Sequence, residues 1–478
     1  MQTRNLIGGE WVGAADGREF DVRDPATDEV VARVPDGGAA ETRQAVAAAS
    51  AAFPAWAART AAERAAPLHR MAALMLERKD ALARLLTAEQ GKPVAEAAGE
   101  IVYAASFLEW AAEEGRRLYG QIVPASHPDK RILVLRQPVG VSAAITPWNF
   151  PAAMITRKLG PALATGCTTV IKPAEATPLS AFALGELAME AGIPAGVVNI
   201  VTGDAPAIGE ALLGDERVRK LSFTGSTGVG RLLMAGAAQH LTRLSLELGG
   251  HAPFLVFDDA DVEAAVAGAL ATKYRNAGQT CICANRFYVQ DGVYDEFAAR
   301  LQQAVEVMRL GHGLDEGVQI GPLIDDAAIE KVEGHVADAL DKGATLRAGG
   351  RRARPRADLT DRFYAPTILD GFTPDMRLAT EETFGPVSPL ARFTHEDEAL
   401  DLANASEFGL AAYFYTRDAG RLMRVAERLE YGIIGANDGG PSTAQAPFGG
   451  VKHSGFGREG GHWVMDEYVE VKYLSWGL

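Results

Sequence analysis

The chain has 478 residues, 47% of them hydrophobic and 23% charged, which allows two or three globular cores and is ordinary for a soluble protein. Its formal net charge of −15 argues against a nucleic acid or an anionic membrane as partner. Three cysteines are too few for a disulfide framework, and the sequence shows neither a signal peptide nor a run of ~18 apolar residues. We therefore expect a cytoplasmic enzyme.

The N-terminal part of the chain is predicted to be helical. Ala-rich amphipathic patterns predict helices at 39–58, 60–89 and 94–118, with a break at Gly91-Lys92-Pro93. Two short segments far apart in sequence have a strand pattern, 131–136 and 468–474. Paired with each other, they would form a small flap or an oligomer contact.

From Val139 onward, apolar strands alternate with helices. The strands are predicted at Val139–Ile145, Thr168–Ile171, Val197–Val201, Lys220–Phe223 and Arg243–Leu248, and the helices at 152–165, 178–192, 205–213 and 227–239. This order predicts a parallel sheet covered by helices on both faces. Each strand ends in a polar or Gly-rich turn, and ligands bind such sheets beyond the carboxyl ends of the strands.

A second α/β unit is predicted after Phe254. It has helices near 261–276 and 292–310 and strands near Arg286–Val289 and Leu410–Tyr415. The nine histidines show no metal-ligand spacing, so we expect no metal. The fold class is therefore α/β, with two Rossmann-like parallel-sheet domains and a small β flap.

The segment 275–285 places Cys281 in polar surroundings. A cysteine that only fills a core would be expected among aliphatic residues. Here Asn276, Gln279 and Thr280 offer hydrogen bonds, and Gly278 lets the backbone turn sharply. This setting favours a reactive thiolate. Cys283 is either a redox partner of Cys281 or a small spacer, and Cys167 is expected in the core.

Two features suggest a nucleotide site, although no G-x-G-x-x-G follows the first strand. Gly225–Gly230 lies at a strand-to-helix junction, which binds anions well, but it is equally typical of plain helix capping. Lys172 and Glu175 follow a neighbouring strand. A carboxylate there would accept hydrogen bonds from ribose hydroxyls and repel a 2′-phosphate, which favours NAD over NADP. The alternative is a solvated Lys-Glu pair.

Seven motifs point in one direction: Thr146–Pro151, Lys172–Glu175, Phe223–Ser226, Leu246–Gly250, Gly278–Cys281, Glu382–Pro386 and Pro447–Lys452. In order and spacing they resemble the aldehyde dehydrogenase superfamily over essentially the whole chain. The resemblance implies an NAD-binding domain from 1–120 and 139–249, a catalytic domain at 250–449, and an oligomerisation segment from 121–138 and 450–478. It also implies a homodimer or a homotetramer.

The resemblance implies a covalent mechanism. Cys281 is similar to the family nucleophile, which attacks the aldehyde to give a thiohemiacetal. Because a free thiol is mostly protonated at neutral pH, it needs an adjacent base or a lowered pKa. Glu247 is similar to the general base, and its pKa could lie near the operating pH. Asn149 and the Cys281 N–H resemble the oxyanion hole. Hydride transfer then leaves a thioester that water hydrolyses.

The same resemblance implies residues that bind the cofactor, which is NAD with NADP as the alternative. They are Ile145, Thr146, Pro147, Trp148, Lys172, Glu175, Gly225, Ser226, Leu248, Glu382 and Phe384.

Three further residues concern the aldehyde. Arg157, Arg275 and Ser442 are similar in position to the carboxylate-binding set of succinate semialdehyde dehydrogenases, and a guanidinium fork matches a carboxylate. Alternatively, either arginine pairs with a structural carboxylate. Glutarate semialdehyde and 2-oxoglutarate semialdehyde carry the same distal group. The segment 438–446 departs from the Leu-Ile-Ser form of that subfamily, so the substrate's chain length stays open.

Two other functional classes compete with this hypothesis. A cysteine hydrolase would need a histidine base, and none lies in the segments of Cys281 or Glu247. A silent binding protein would not need Asn149, Glu247, Cys281 and Glu382 together.

Overall fold

The computed structural model describes residues 2–478. Its helices are α1 (Ala39–Ala57), α2 (Ala61–Glu77), α3 (Lys79–Gln90), α4 (Val94–Gly115), α5 (Pro151–Thr165), α6 (Leu179–Glu190), α7 (Ala205–Leu213), α8 (Thr227–Ala237), α9 (Val262–Lys273), α10 (Asp291–Glu306), α11 (Asp326–Asp341), α12 (Arg377–Thr380), α13 (Glu396–Asn404), α14 (Ala419–Arg428) and α15 (Trp463–Asp466). A short 3-10 turn, Arg275–Gly278, follows α9.

The strands are β1 (Asn5–Ile7), β2 (Glu10–Val12), β3 (Glu19–Arg23), β4 (Val30–Pro35), β5 (Gln121–Val123), β6 (Lys130–Pro138), β7 (Val141–Ile145), β8 (Thr168–Lys172), β9 (Val198–Ile200), β10 (Val218–Thr224), β11 (Arg243–Glu247), β12 (Ala252–Val256), β13 (Ala284–Gln290), β14 (Thr345–Ala348), β15 (Arg352–Ala353), β16 (Phe363–Tyr364), β17 (Thr367–Asp370), β18 (Val387–Phe393), β19 (Phe408–Gly409), β20 (Ala411–Tyr415), β21 (Ile433–Ala436), β22 (Val451–Lys452), β23 (Gly455–Phe456) and β24 (Val469–Gly477).

The first sheet has the order β2-β1-β9-β8-β7-β10-β11-β23. Strands β7 to β11 are parallel, as the sequence predicts, while β1, β2 and β23 pair antiparallel at the edges. The chain order reverses between β7 and β10, because β8 and β9 lie on the other side of β7. Such a switch point opens a crevice at the carboxyl ends of the strands, which is where a ligand is expected.

The second sheet has the order β14-β17-β18-β13-β12-β20-β21 and is parallel except for β14. Its central strands β12, β13 and β20 are buried on both faces, and Phe254 stacks on Tyr415 with ring centroids 5.2 Å apart. Together the two sheets confirm the predicted α/β class with two Rossmann-like units. The exact domain boundaries stay a prediction, since β23 lies outside 139–249 yet pairs with β11.

The predicted flap is present as a three-stranded antiparallel sheet, β24-β6-β5. Strand β24 pairs with β6 along its whole length, with Leu474 opposite Leu133. Val471, Tyr473 and Trp476 on β24 are each more than half exposed.

One predicted helix was wrong in its extent. The segment 60–89 forms two helices, α2 and α3, that meet at Arg78, whose φ and ψ of −101° and 17° leave the helical region. The sequence gives no sign of the break because the residues on both sides are good helix formers. The change of direction lets Met75 of α2 and Leu86 of α3 enter the same core.

Of the helices formed by residues 2–478, none has the length and apolar character that a bilayer crossing needs. Within the same residues, no cluster of three His, Cys, Asp or Glu side chains is arranged to hold a metal ion.

Candidate active site

Cys281 lies between two cavities. One, of about 320 Å³, is lined by Arg157, Arg275 and Ser442, and the other, of about 350 Å³, is lined by the turns that follow β7, β10 and β11. Cys281 lines both. A reactant bound in either cavity would therefore meet the same sulfur atom, as a transfer between two ligands requires.

The backbone before Cys281 is held in an uncommon conformation. Asn276 and Ala277 have φ values of 51° and 54°, and Gly278 has a φ of 78°. A Cβ on Gly278 would lie 2.3 Å from the carbonyl oxygen of Gly385, so only glycine fits there. Strain of this kind persists only where the surroundings enforce it. Here they do, because the Asn276 side chain donates to the Asn149 carbonyl (3.0 Å) and accepts from Gln90 (2.9 Å).

The surroundings of Cys281 disfavour its thiolate form. Burial raises the pKa of Cys281 to about 12; the charges of Arg157 and Arg275 lower it less than burial raises it. Because desolvation disfavours the thiolate, this state of the protein favours an adjacent base over a lowered thiol pKa as the means of activation. A base must take the proton.

Glu247 ends β11 beside Thr224 of β10. Burial and the nearby charge of Glu459 raise the pKa of Glu247 well above its usual value. Both carboxylate oxygens are buried without a hydrogen-bond partner among the described residues. The side chain packs against Gly449, where a Cβ would lie 2.7 Å from Oε1. Glu247 thus lies beside the cavities without lining either, and its role as base stays a prediction.

Asn149 follows β7 and lines the same cavity as Cys281. Its Nδ2 donates to the carbonyl of Gln279 at 3.0 Å, and its Oδ1 has no partner among the described residues. The amide is therefore next to the nucleophile segment, as an oxyanion donor must be. That role stays a prediction.

Sequence reasoning missed the pair that positions Asn149. Lys92 Nζ donates to Glu100 at 2.6 Å and to the carbonyl oxygen of Asn149 at 2.7 Å. The other oxygen of Glu100 accepts from the N–H groups of Ala152 and Ala153, which caps α5. This ion pair is fully buried and fixes the turn between β7 and α5. The sequence showed Gly91-Lys92-Pro93 only as a helix break.

The second cavity contains most of the residues expected to bind cofactor. The predicted residues that line it are Pro147, Trp148, Gly225, Ser226, Leu248, Glu382 and Phe384. The remaining four, Ile145, Thr146, Lys172 and Glu175, lie at or just beyond the ends of the neighbouring strands β7 and β8.

Contacts related to both alternatives, the helix cap and the Lys-Glu pair, are also visible in this region, although Lys172 is buried rather than solvated. Ser226 Oγ accepts from the N–H of Val229 at 3.3 Å and so caps α8. Lys172 forms an ion pair with Glu175, whose side chain is about half exposed. Neither contact prevents an anion from reaching the free N–H groups of α8.

The loop 382–384 closes the far side of this cavity. Glu382 Oε1 accepts from the Gly250 N–H at 3.0 Å, and burial raises the pKa of Glu382 to about 7. Phe384, at a φ of 56°, meets Trp148 edge to face at 5.6 Å. Sequence reasoning missed Lys331 and the start of α11, which also line the cavity.

The first cavity contains all three residues expected to bind substrate. Arg157 lies 2.9 Å from Glu459 Oε2 and stacks on Phe448. Part of this guanidinium is therefore directed at a carboxylate of the protein itself, as the alternative expected. Arg275 forms no ion pair with any residue of 2–478 and lies over the Phe150 ring. Ser442 hydrogen-bonds to the hydroxyl of Tyr103, a residue that the sequence did not single out.

The other cysteines lie in the interior. Cys167 packs in the core, with Sγ 3.3 Å from the carbonyl oxygen of Tyr468, as expected. Cys283 is fully buried next to the carbonyl oxygen of Lys273. A redox role for Cys283 stays a prediction.

Comparison with known proteins agrees with this geometry. Residues 11–474 match the aldehyde dehydrogenase family. The chain belongs to the aldehyde dehydrogenase family. It is 59% identical over 473 residues to the NADP(+) succinate-semialdehyde dehydrogenase of Escherichia coli K12, with 99% of this chain and 97% of that one covered. This aldehyde dehydrogenase is thus an oxidoreductase that acts on aldehydes.

Two further relatives are similarly close. The chain is 57% identical to a glutarate-semialdehyde dehydrogenase of Pseudomonas putida, with 98% and 96% of the two chains covered. The crystal structure of succinate-semialdehyde dehydrogenase from Burkholderia pseudomallei superimposes with a TM-score of 0.98 at 56% identity, covering 100% of this chain and 98% of that one.

Proposed function

We propose that this aldehyde dehydrogenase oxidises an aldehyde with a distal carboxylate, foremost succinate semialdehyde, to the acid. The observation that carries the proposal is Arg275, a guanidinium that faces the cavity beside Cys281 without an ion pair among residues 2–478. A charge left unpaired inside a protein is costly, so an anionic ligand is its natural partner. The names of the close relatives support this chemistry, since succinate and glutarate semialdehydes both carry such a carboxylate.

Glutarate semialdehyde is the second candidate. Close relatives carry that name, and the segment 438–446, which contains Ser442 of the cavity wall, departs from the form expected for the succinate enzyme. The 2-oxoglutarate semialdehyde alternative rests only on the shared distal carboxylate.

The chain's own groups divide the proposed reaction between them. With the distal carboxylate on Arg275, the aldehyde carbon faces Cys281 Sγ. Glu247 takes the thiol proton, Sγ adds to the carbonyl, and Asn149 Nδ2 with the Cys281 N–H stabilises the oxyanion of the thiohemiacetal. After oxidation, Glu247 passes the thiol proton to solvent and, again a carboxylate, activates the water that hydrolyses the thioester. Before Glu247 can act, it must lose its own proton, because burial favours the neutral acid.

The second cavity fits a nicotinamide cofactor. Glu382 keeps Oε2 free of hydrogen bonds to the described residues and so offers an acceptor for ribose hydroxyls, while the start of α8 offers N–H groups to phosphate. NAD(P)⁺ accepts the hydride when bound there. We propose NAD as the preferred form because Glu175 stands where a 2′-phosphate would be repelled, with NADP, which the E. coli relative uses, as the alternative.

We also propose a homodimer or homotetramer built through the flap, whose strand β24 leaves Val471, Tyr473 and Trp476 exposed. Light scattering of wild type and a Trp476→Glu variant measures the assembly state. The cytoplasmic location stays a prediction.

Steady-state formation of reduced cofactor with succinate, glutarate and neutral semialdehyde analogues tests the proposed substrate. We expect Arg275→Ala to raise KM for the carboxylated aldehydes about 10- to 100-fold, because a charged hydrogen bond contributes ~1.5–3 kcal/mol. KM for a neutral aldehyde should change little. Arg275→Lys keeps the positive charge but loses the forked guanidinium, so its KM for the carboxylated aldehydes should lie between those of wild type and Arg275→Ala. Equal effects on both aldehydes would refute the carboxylate assignment, and absence of reduced cofactor with any aldehyde would favour a cysteine hydrolase.

A further inference from the structure

The charges that line the substrate cavity are unequally paired. Four charged side chains line it: Glu96, Glu100, Arg157 and Arg275. Glu100 is paired with Lys92, and Arg157 is within ion-pair distance of Glu459. Arg275 and Glu96 remain without an ion pair among residues 2–478. The charge beside Arg275 therefore depends on the protonation state of Glu96.

Glu96 is joined by geometry to the residue that would bind the substrate. Its Oε2 accepts from the N–H of Asn276 at 2.8 Å, immediately after Arg275. Asn276 is the first of the left-handed residues, so this bond helps to hold the strained turn that presents Arg275. Oε1 of Glu96 accepts no hydrogen bond from the described residues, and the half-buried side chain faces the cavity. One carboxylate oxygen is thus available to a ligand.

The surroundings of Glu96 favour its neutral form. Burial raises the pKa of Glu96, and the charge of Glu100 on the same helix adds to this, while Lys92, the Asn276 N–H and Arg275 lower it by less. Tyr103, Arg157 and Cys281 are the other titratable groups around the cavity. As an acid, Glu96 leaves Arg275 as an uncompensated positive charge; as a carboxylate, it cancels that charge.

We propose that Glu96 is a specificity-determining residue that, as a protonated acid, donates a hydrogen bond from Oε1 to the distal carboxylate of the substrate on Arg275. The inference rests on the function proposed above. No covalent bond changes when the ligand binds: its carboxylate stays ionised and the proton stays on Glu96. If Glu96 was ionised before binding, it takes this proton from solvent. Ionised Glu96 instead repels the ligand and competes with it for Arg275.

The ionisation of Glu96 should make binding of the carboxylated aldehyde weaker as the pH rises. Below the ionisation of Glu96 the carboxylated aldehyde binds well, and above it KM rises by up to about tenfold per pH unit, since one proton is linked to binding. A neutral aldehyde has no charge to repel and is not affected. Titration of Cys281 or Glu247 changes kcat/KM for both aldehydes alike. The ratio of kcat/KM for the two aldehydes therefore reports the ionisation of Glu96.

The test measures that ratio, kcat/KM for the carboxylated aldehyde over kcat/KM for a neutral aldehyde of equal chain length, from acid to alkaline pH. We expect the ratio to fall with pH in wild type and to stay level in Glu96→Gln, whose amide still accepts from Asn276 and still donates to a carboxylate. Glu109→Gln, the same change at an exposed site of α4, should behave as wild type. A level ratio in wild type, or an equal fall in Glu96→Gln, would overturn the inference.

A binding measurement keeps the test decisive even if Glu96→Gln folds poorly. Calorimetry of succinate binding to wild type in two buffers of different ionisation enthalpy reports proton uptake. We expect uptake to approach one proton per ligand at pH values above the ionisation of Glu96, and no uptake at any pH would refute the role of Glu96. If wild type shows no preference for carboxylated aldehydes at any pH, the proposed function itself fails, which is a separate outcome.

Discussion

The two cavities that meet at Cys281 are built in different ways. The cofactor cavity is formed mainly by turns at the ends of β7, β10 and β11 and by the loop 382–384, so each wall is a short contiguous segment. The substrate cavity is formed by single side chains from α4, α5, the 275–278 turn and the loops at 442 and 448. The first kind of site leaves motifs in the sequence. The second kind of site depends on how helices pack, and residues such as Glu96 and Tyr103 belong to no recognisable sequence motif.

The largest effect is expected when the sulfur atom of Cys281, which lines both cavities, is removed. We expect Cys281→Ala to lower turnover by ~10⁴-fold or more, as removal of a nucleophile does, because no covalent intermediate forms. Binding of NAD, measured by quenching of protein fluorescence, should persist, since the walls of the second cavity remain. Cys283→Ala is the matched control and should retain turnover, because this sulfur lines neither cavity. Normal oxidation by Cys281→Ala would end the thiol mechanism.

A smaller effect is expected from the residue at the border of the cavities. Asn149→Ala should reduce kcat by ~10²–10³-fold, the cost of losing one oxyanion donor. The loss should be the same for carboxylated and neutral aldehydes, because the proposed partner of Asn149 is the reacting carbonyl, and Asn149 does not line the cavity of Arg275. The measurement is kcat for both substrates. A loss confined to carboxylated aldehydes would assign Asn149 to the substrate cavity instead.

The mildest effect is expected at Glu175, which lies just beyond the end of β8. Glu175→Gln should raise the ratio of kcat/KM for NADP over NAD by roughly fivefold, since one exposed charge contributes ~1 kcal/mol near a phosphate. The change removes repulsion and frees Lys172 from its ion pair. Glu186→Gln, on the helix after the same strand, should leave the ratio unchanged. An unaltered ratio in Glu175→Gln would mean that this carboxylate does not select the cofactor.

Most of the fold could be predicted from the sequence. The βαβ series of the first unit and the pairing of 131–136 with 468–474 were both confirmed, because strands buried in parallel sheets are continuous apolar runs and turns carry glycine and polar residues. The break at Arg78 was missed because it depends on packing and not on helix propensity. Strands β14 to β18 were missed because the apolar pattern of that region is short and irregular.

The sequence by itself determined the family, and it predicted Cys281 as the nucleophile and the turns that line the second cavity, since these are local patterns of residue type and spacing. Only the tertiary structure decided that burial raises the pKa of Cys281, that Glu459 lies within ion-pair distance of Arg157 while Arg275 stays unpaired among residues 2–478, and that Glu96 lines the same cavity as Arg275. The physical reason is that pKa values and ion pairs depend on burial and on distances between residues far apart in the chain.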